Sequence, residues 1–265
     1  METLALLSQY GTLTVVSLIM LSFIAGFIDA VVGGGGLISI PTLLINLPQV
    51  PLPTLFGTNK IAALAGTSIS AFQYSKRIKF NYPLLLTIAG CSGLASFFGA
   101  KTVTRIDLNT LKPLILIILI LIAIYTLFKK NLGAVQTKQL TLKKQLLYGS
   151  ILGMLVGFYD GFFGPGTGSF FVLGFVVILG FEFIEASAYS KVINCMTNIT
   201  ALIVFIRQGN YILEIALLMA FFNIAGSITG TRIALKKGNG FVRILFLVIV
   251  SIMIIRYGYD VFMAG

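Results

Sequence analysis

Four charged side chains lie inside apolar stretches of this sequence, namely Asp29, Lys60, Asp160 and Lys191. An unpaired charge in an apolar environment costs on the order of several kcal/mol, so each aspartate needs a partner, and the two lysines are the candidates. Two interpretations are open. Each aspartate is part of a buried pair or a cap that locks a broken helix. Alternatively, the lysines face an anion as point charges while an aspartate takes up a proton during coupling.

A glycine-rich segment follows each aspartate within a few residues, Gly33–Gly36 in the first half of the chain and Gly164–Gly168 in the second. We interpret both segments as unwound breaks, which survive at membrane depth when they line a cavity. Helices that start at Leu37 and Ser169 would direct free N–H groups and positive dipole ends to the breaks, which favours an anion. The alternative is that the glycines only allow close helix packing. The predicted binding positions are Gly33, Gly34, Gly35, Gly36, Gly164, Gly166, Thr167 and Gly168.

Polar residues follow both lysines at helical spacing, which would give each helix one polar face. These predicted contacts are Asn59, Lys60 and Thr67 in the first half, and Ser190, Lys191, Asn194 and Asn198 in the second. The alternative is that the amides and hydroxyls form hydrogen bonds between helices.

The chain is an internal duplication with an offset of 131 positions. The offset aligns the aspartates, the glycine segments and the lysines of the two halves, and it extends to Gly99 with Gly230, Lys101 with Arg232 and Leu114 with Leu245. One register across both halves indicates two copies of one structural unit.

Composition places these units in a membrane. Of the 265 residues, 57% are hydrophobic and 10% are charged, which is too little polar surface to cover a soluble globule. The first apolar stretch is interpreted as a retained span, since the N-terminus has no basic region before it. The chain has no histidine, so we expect no metal site, no cofactor and no hydrolase chemistry. The basic residues lie in short loops, which is atypical of nucleic-acid binding.

The predicted spans are 12–32, 55–74, 82–100 and 111–128, then 145–163, 186–206, 212–231 and 241–263, with short apolar pieces at 37–47 and 168–180. If the short pieces return the chain to the side from which it came, each half has five crossings and the repeats are inverted; otherwise each half has four and the repeats are parallel. The positive-inside rule favours inversion, with both termini outside and a cytoplasmic central loop. The fold class is an all-α polytopic membrane protein with a first repeat at 1–130, a linker at 131–144 and a second repeat at 145–265.

The glycine and lysine motifs resemble the sulfite exporter TauE/SafE family, and within it the YfcA-like members. The resemblance rests on Gly26–Gly36 with Gly57–Lys60, and on Gly157–Gly168 with Ser190–Asn194. It implies an inner-membrane secondary transporter of sulfite, sulfonates or related sulfur-containing anions, with a small anion and the lipid bilayer as partners. In the second half, Ser190 stands where the first half has Asn59, and Pro165 stands where it has Gly34, so the two halves are not expected to be equivalent. A passive anion channel is the alternative function, and homo-oligomerisation is left open.

Overall fold

The computed structural model describes residues 10–103, 138 and 140–262. In these ranges the chain forms eight α-helices and no strand, and α6 continues into a π-helical segment at Phe175–Leu179. The helices are α1 Thr12–Val32, α2 Gly36–Asn46, α3 Leu52–Ser75, α4 Tyr82–Thr102, α5 Leu142–Phe162, α6 Thr167–Gly174, α7 Phe183–Arg207 and α8 Leu213–Phe262.

The helix bounds agree with the predicted spans where both can be compared. Within the described residues, four helical segments are long and apolar enough to cross a membrane, at Thr12–Val32, Tyr82–Thr102, Phe183–Arg207 and Leu213–Ile252. Helices α3 and α5, which coincide with predicted spans, are not among these four. The two predicted short pieces are α2 and α6 with its π-helical continuation. Gly238, with φ of 78° and ψ of −172°, interrupts α8 between the two last predicted spans. The predicted span 111–128 and most of the predicted linker lie outside the described residues.

The duplication is reproduced in the helix starts. Gly36 and Thr167, Leu52 and Phe183, and Tyr82 and Leu213 begin equivalent helices, and the members of each pair are 131 positions apart. Thus α1, α2, α3 and α4 correspond to α5, α6, α7 and the first part of α8.

Each half packs against the other through equivalent helices, because α1 lies against α8 and α5 lies against α4. Small residues allow this close approach. A Cβ atom on Gly26 would overlap the backbone of Asn223, and one on Gly157 would overlap the backbone of Ser92, the equivalent contact. The two halves are therefore interlocked.

Short helices α2 and α6 run back along the helices that precede them. The Ser17 hydroxyl near the start of α1 donates to Asn46 Oδ1 at the end of α2, at 2.9 Å. In the second half, the end of α6 contacts α5 where Gly174 meets Leu152. Each pair is a hairpin that turns at a glycine break.

Helix α3 runs parallel to the first part of α8. Thr58 near the start of α3 accepts a hydrogen bond from the N–H of Ile212, and Ser70 near its end accepts one from Thr231. Early residues of α3 therefore contact early residues of α8 and late residues contact late ones, as in a parallel pair of helices.

Helix α3 runs antiparallel to its repeat equivalent, α7. Gly57 lies against Phe205, whereas Lys60, further along α3, donates to Asn198, which is earlier in α7. Equivalent helices therefore point in opposite directions at the centre of the molecule.

Apolar clusters surround the buried polar centre of the protein. One cluster contains Phe171, Phe175, Phe183 and Phe246. Large apolar side chains also cover the outer surface, as expected for contact with lipid; they include Leu13, Leu86, Leu94, Leu155 and Phe221.

Candidate anion site between the two repeats

Two buried ion pairs join the halves of the chain. Lys60 Nζ lies 2.7 Å from Asp160 Oδ2, and Lys191 Nζ lies 2.9 Å from Asp29 Oδ2. Each lysine therefore pairs with the aspartate of the other repeat. The lysines are the partners that the sequence suggested, and contact between them and an anion stays a prediction.

A third polar side chain completes each pair. Asn198 Oδ1 accepts a hydrogen bond from Lys60 at 3.0 Å, and Thr67 Oγ1 donates to Asp29 Oδ2 at 3.3 Å. Thr67 and Asn198 are repeat equivalents, so the two clusters are copies that differ in this one side chain.

The two glycine breaks contact each other directly. Gly33 ends α1 with φ of 83°, and its N–H donates to Asp29 O at 2.8 Å. Gly33 O accepts from the N–H of Ser169 at 3.2 Å. A Cβ atom on Gly33 or Gly168 would overlap the backbone of the other, so both positions require glycine.

Two helix N-termini have uncommitted N–H groups at this junction. The N–H groups of Leu37 and Ser39 donate to Gly34 O and Gly35 O. Among the described residues, no acceptor is found for the N–H of Gly36 in α2 or of Gly168 in α6. These donors and the helix dipoles favour negative charge at the junction.

A cavity of about 30 Å³ lies at this junction, and twelve of the predicted site residues line it. They are Asp29, Gly33, Gly36, Asn59, Lys60, Thr67, Asp160, Gly164, Thr167, Gly168, Asn194 and Asn198.

Five predicted residues lie outside the cavity wall. Gly34 packs against Ile249, and Gly35 precedes α2 close to Asp29, while Gly166 precedes α6 with φ of 80°. Ser190 donates to Gly168 O at 3.1 Å, and Lys191 is fully buried.

Four apolar lining residues were missed in the sequence, namely Ile40, Phe56, Ala63 and Phe163. Phe56 and Ala63 are one turn before and after Lys60, so the helical spacing used for Thr67 would have found them. No comparable signal identifies Ile40 or Phe163.

Several donors in the cavity wall have no partner in the described part of the chain. The Nδ2 atom of Asn198 is buried without an acceptor, and the side chain of Asn59 forms no hydrogen bond there. Lys60 uses two of its three N–H donors, on Asp160 and Asn198. An acceptor-rich ligand would satisfy these groups. In the same ranges, no group of three His, Cys, Asp or Glu side chains could hold a metal ion.

The family model described as sulfite exporter TauE/SafE matches residues 18–257. The chain belongs to this family. The match covers both halves of the TauE/SafE chain, including every residue of the cavity wall.

Curated relatives of this TauE/SafE chain are full-length matches. It is 41% identical over 237 residues to the probable membrane transporter protein ORF9 of Sinorhizobium sp, covering 89% of this chain and 88% of the relative. It is 34% identical over 270 residues to the probable membrane transporter protein YfcA of Escherichia coli K12, covering 98% and 95%. A probable membrane transporter protein of Haemophilus influenzae is 32% identical over 243 residues, covering 92% and 94%. No solved structure matches the chain.

Three hydroxyl groups bind the last turn of α1 in this TauE/SafE protein, next to the Asp29–Lys191 pair. The backbone carbonyls of Ala30, Val31 and Val32 accept from Tyr74 at 3.1 Å, Ser187 at 3.0 Å and Ser169 at 2.9 Å. We call this region, with the Asp29–Lys191 pair, the hydroxyl end.

The repeat-equivalent region of the TauE/SafE protein, next to the Lys60–Asp160 pair, carries aromatic rings instead. Repeat equivalents of Tyr74, Ser187 and Ser169 are Phe205, Phe56 and Ile38, which have no hydroxyl. The rings of Phe56 and Phe163 meet edge to face at 6.1 Å, and both line the cavity. We call this region, with the Lys60–Asp160 pair, the phenylalanine end.

Proposed function

We propose that the chain is a secondary transporter that carries a small anion through this cavity by alternating access. The observation that carries the proposal is the convergence of uncommitted donors from both halves on one small space. They come from two helix N-termini, from two amides and from the ammonium group of Lys60. Donors with little exposure to water stabilise an anion more strongly than the same donors would in bulk water.

The proposed architecture is a pair of inverted repeats, 1–130 and 145–265, joined by a cytoplasmic linker at 131–144. The antiparallel directions of α3 and α7 support inversion, as do hairpins that turn at the same break in each half. The basic loops support an inner-membrane orientation with both termini outside. In this orientation, the phenylalanine end faces outward and the hydroxyl end faces the cytoplasm. Rocking of one repeat against the other would open the ends in turn.

The proposed substrates are sulfite, sulfonates or other sulfur-containing organic anions. The family description names sulfite export. A cavity of about 30 Å³ supports a compact anion, since it is far smaller than sites for drug-sized ligands.

Flux measurements on purified protein in liposomes test the proposal. We expect sulfite or a small sulfonate to exchange across the membrane, and Lys60→Ala to abolish the exchange because the charge at the cavity is lost. The matched control is Lys101→Ala, because Lys101 lies on the exposed side of α4 over the ring of Phe97. If neither sulfite nor a small sulfonate is exchanged, the proposed function is refuted. If Lys60→Ala and Lys101→Ala lose exchange activity equally, Lys60 is not part of the site.

A passive anion channel would use the same donors. The hydroxyl end weighs against it, because three side-chain hydrogen bonds hold the end of α1 to α3, α6 and α7 there. Single-channel currents recorded in a planar bilayer would identify the protein as a channel.

A further inference from the structure

The two ion pairs differ in their access to the cavity. Lys60 and Asp160 both line it. Of the other pair, Asp29 lines the cavity, whereas Lys191 has 0% exposure and does not. A ligand in the cavity can therefore reach both members of the Lys60–Asp160 pair, but only the carboxylate of the second pair.

The four charges of the two pairs sum to zero. An anion that entered this site without another change would leave a net negative charge at membrane depth among largely buried groups, which is strongly unfavourable. It would also compete with Asp160, whose carboxylate holds the Lys60 ammonium at 2.7 Å. Binding therefore requires that the charge of one carboxylate be removed or screened.

We propose that one proton accompanies each anion, and that Asp160 is the group that carries it. This inference rests on the proposed function. Water at the phenylalanine end supplies the proton, which converts the Asp160 carboxylate into a neutral carboxylic acid. Lys60 stays charged and exchanges the carboxylate for the anion, so a monovalent anion leaves the net charge of the site unchanged. When the anion leaves on the other side, Asp160 releases the proton and pairs with Lys60 again.

The titratable groups around Asp160 come from its own helix and from the helices packed against it. On α5, the Tyr159 hydroxyl donates to Pro165 O at 2.6 Å, and on α7, Cys195 Sγ lies 3.7 Å from Ser68 Oγ. Lys60 of α3 faces it directly, and Asp29 of α1 lies across the cavity with its partner, Lys191 of α7. Helix α6 has no charged residue. Helix α4 meets α5 through Ile88, Ser92, Ser96 and Ala100, while its titratable residues Tyr82 and Lys101 are exposed and Cys91 does not line the cavity.

The Asp29–Lys191 pair stays intact in this scheme. Lys191 has no surface in the cavity, and Asp29 also accepts a hydrogen bond from Thr67. Ser187, four residues before Lys191 on α7, donates to the carbonyl of Val31 at the hydroxyl end. This pair therefore holds the hydroxyl end together while the other pair exchanges ligands.

Proton movement can be measured together with anion flux in liposomes that contain a trapped pH indicator. The probes are methanesulfonate and ethanesulfonate, monovalent anions whose conjugate acids are too strong to carry protons near neutral pH. For the wild-type protein, we expect an inward anion gradient to acidify the lumen, and anion affinity to fall by at most about tenfold per pH unit as the pH rises.

Two matched variants assign the proton to its carrier. Asp160→Asn mimics the neutral acid, so we expect anion exchange to persist, lumen acidification to disappear and affinity to become independent of pH. For Asp29→Asn, measured per folded molecule, we expect acidification to keep its wild-type ratio to anion flux.

The outcomes separate this inference from the function on which it rests. Anion flux without acidification in the wild-type protein, or flux that follows a sodium gradient, would overturn the proton coupling and leave the transporter function standing. Acidification by Asp160→Asn, or its loss in Asp29→Asn, would overturn the assignment to Asp160. If neither probe nor sulfite exchanges at all, the transporter function and the inference fail together.

Discussion

The hydroxyl end and the phenylalanine end descend from one duplicated segment but carry different chemistry. At the hydroxyl end, three side-chain hydroxyls bind backbone carbonyls and the lysine is fully buried. At the phenylalanine end, rings and an isoleucine occupy the same repeat positions, and both members of the ion pair face the cavity. Hydrogen bonds in a dry environment are directional and hold one geometry, whereas apolar contacts permit small displacements at lower cost. In the proposed transport cycle, we therefore expect the phenylalanine end to open first from this conformation.

The largest expected effect comes from removing one carboxylate at each end. Asp29→Ala leaves Lys191 buried without a counter-charge, and we expect it to lower the free energy of unfolding by about 3–5 kcal/mol. Asp160→Ala should cost less, because Lys60 keeps Asn198 and the cavity admits water. Unfolding curves of both variants in the same detergent measure the difference. Equal losses would contradict the division of roles between the two pairs.

The next effect compares the glycines that begin the two breaks. Gly33 and Gly164 have φ of 83° and 91°, so alanine at either position costs about 1–2 kcal/mol of backbone strain. Alanine at Gly33 must in addition displace the backbone of Gly168, whereas at Gly164 it meets no backbone atom closer than 3.3 Å. We expect Gly33→Ala to be less stable than Gly164→Ala by about 1–3 kcal/mol. Thermal unfolding in detergent checks this, with Gly90→Ala as the control at an open helical position.

A smaller effect is expected from a single hydroxyl. Tyr74→Phe removes the donor to Ala30 O at the hydroxyl end, which should cost about 1 kcal/mol and make that end easier to open. The equivalent change at the other end, Phe205→Tyr, adds a hydroxyl to a fully buried position and should give no gain in stability. The variant Ala63→Cys, in protein whose native cysteines are replaced, places a thiol in the cavity wall. The rate at which this thiol is labelled from each side of the membrane reports opening of the cavity to that side. Faster labelling of Tyr74→Phe from the cytoplasmic side is expected, and an unchanged rate would argue against the seal.

The smallest effect is expected at the one side chain by which the two ion-pair clusters differ. Thr67→Val removes a hydrogen bond of 3.3 Å to Asp29, and we expect a loss of about 0.6 kcal/mol, typical of such bonds between membrane helices. Transport should persist, because Lys191 still holds Asp29. Unfolding and flux measured on the same preparation test both statements, and loss of flux with unchanged stability would place Thr67 in contact with the anion.

Much of the fold and part of the site could be predicted from residue patterns. Apolar length and composition located the helices, and the offset of 131 positions paired Asp29 with Asp160 and Lys60 with Lys191 as equivalents. The glycine segments indicated the two breaks. Phe163 and Ile40 were missed because an apolar side chain in an apolar helix carries no signal of the side on which it lies.

The sequence by itself determined that this is a duplicated, helical membrane protein with four charges that must be neutralised inside it. It could not determine which lysine neutralises which aspartate, because pairing within each half and pairing between halves both satisfy the repeat. In the tertiary structure, each lysine pairs with the aspartate of the other half. The reason is that α3 and α7 pass each other in opposite directions, which places each ammonium group beside the glycine break of the other repeat. The same packing made the two ends unequal, because identical repeat positions carry hydroxyls at one end and rings at the other.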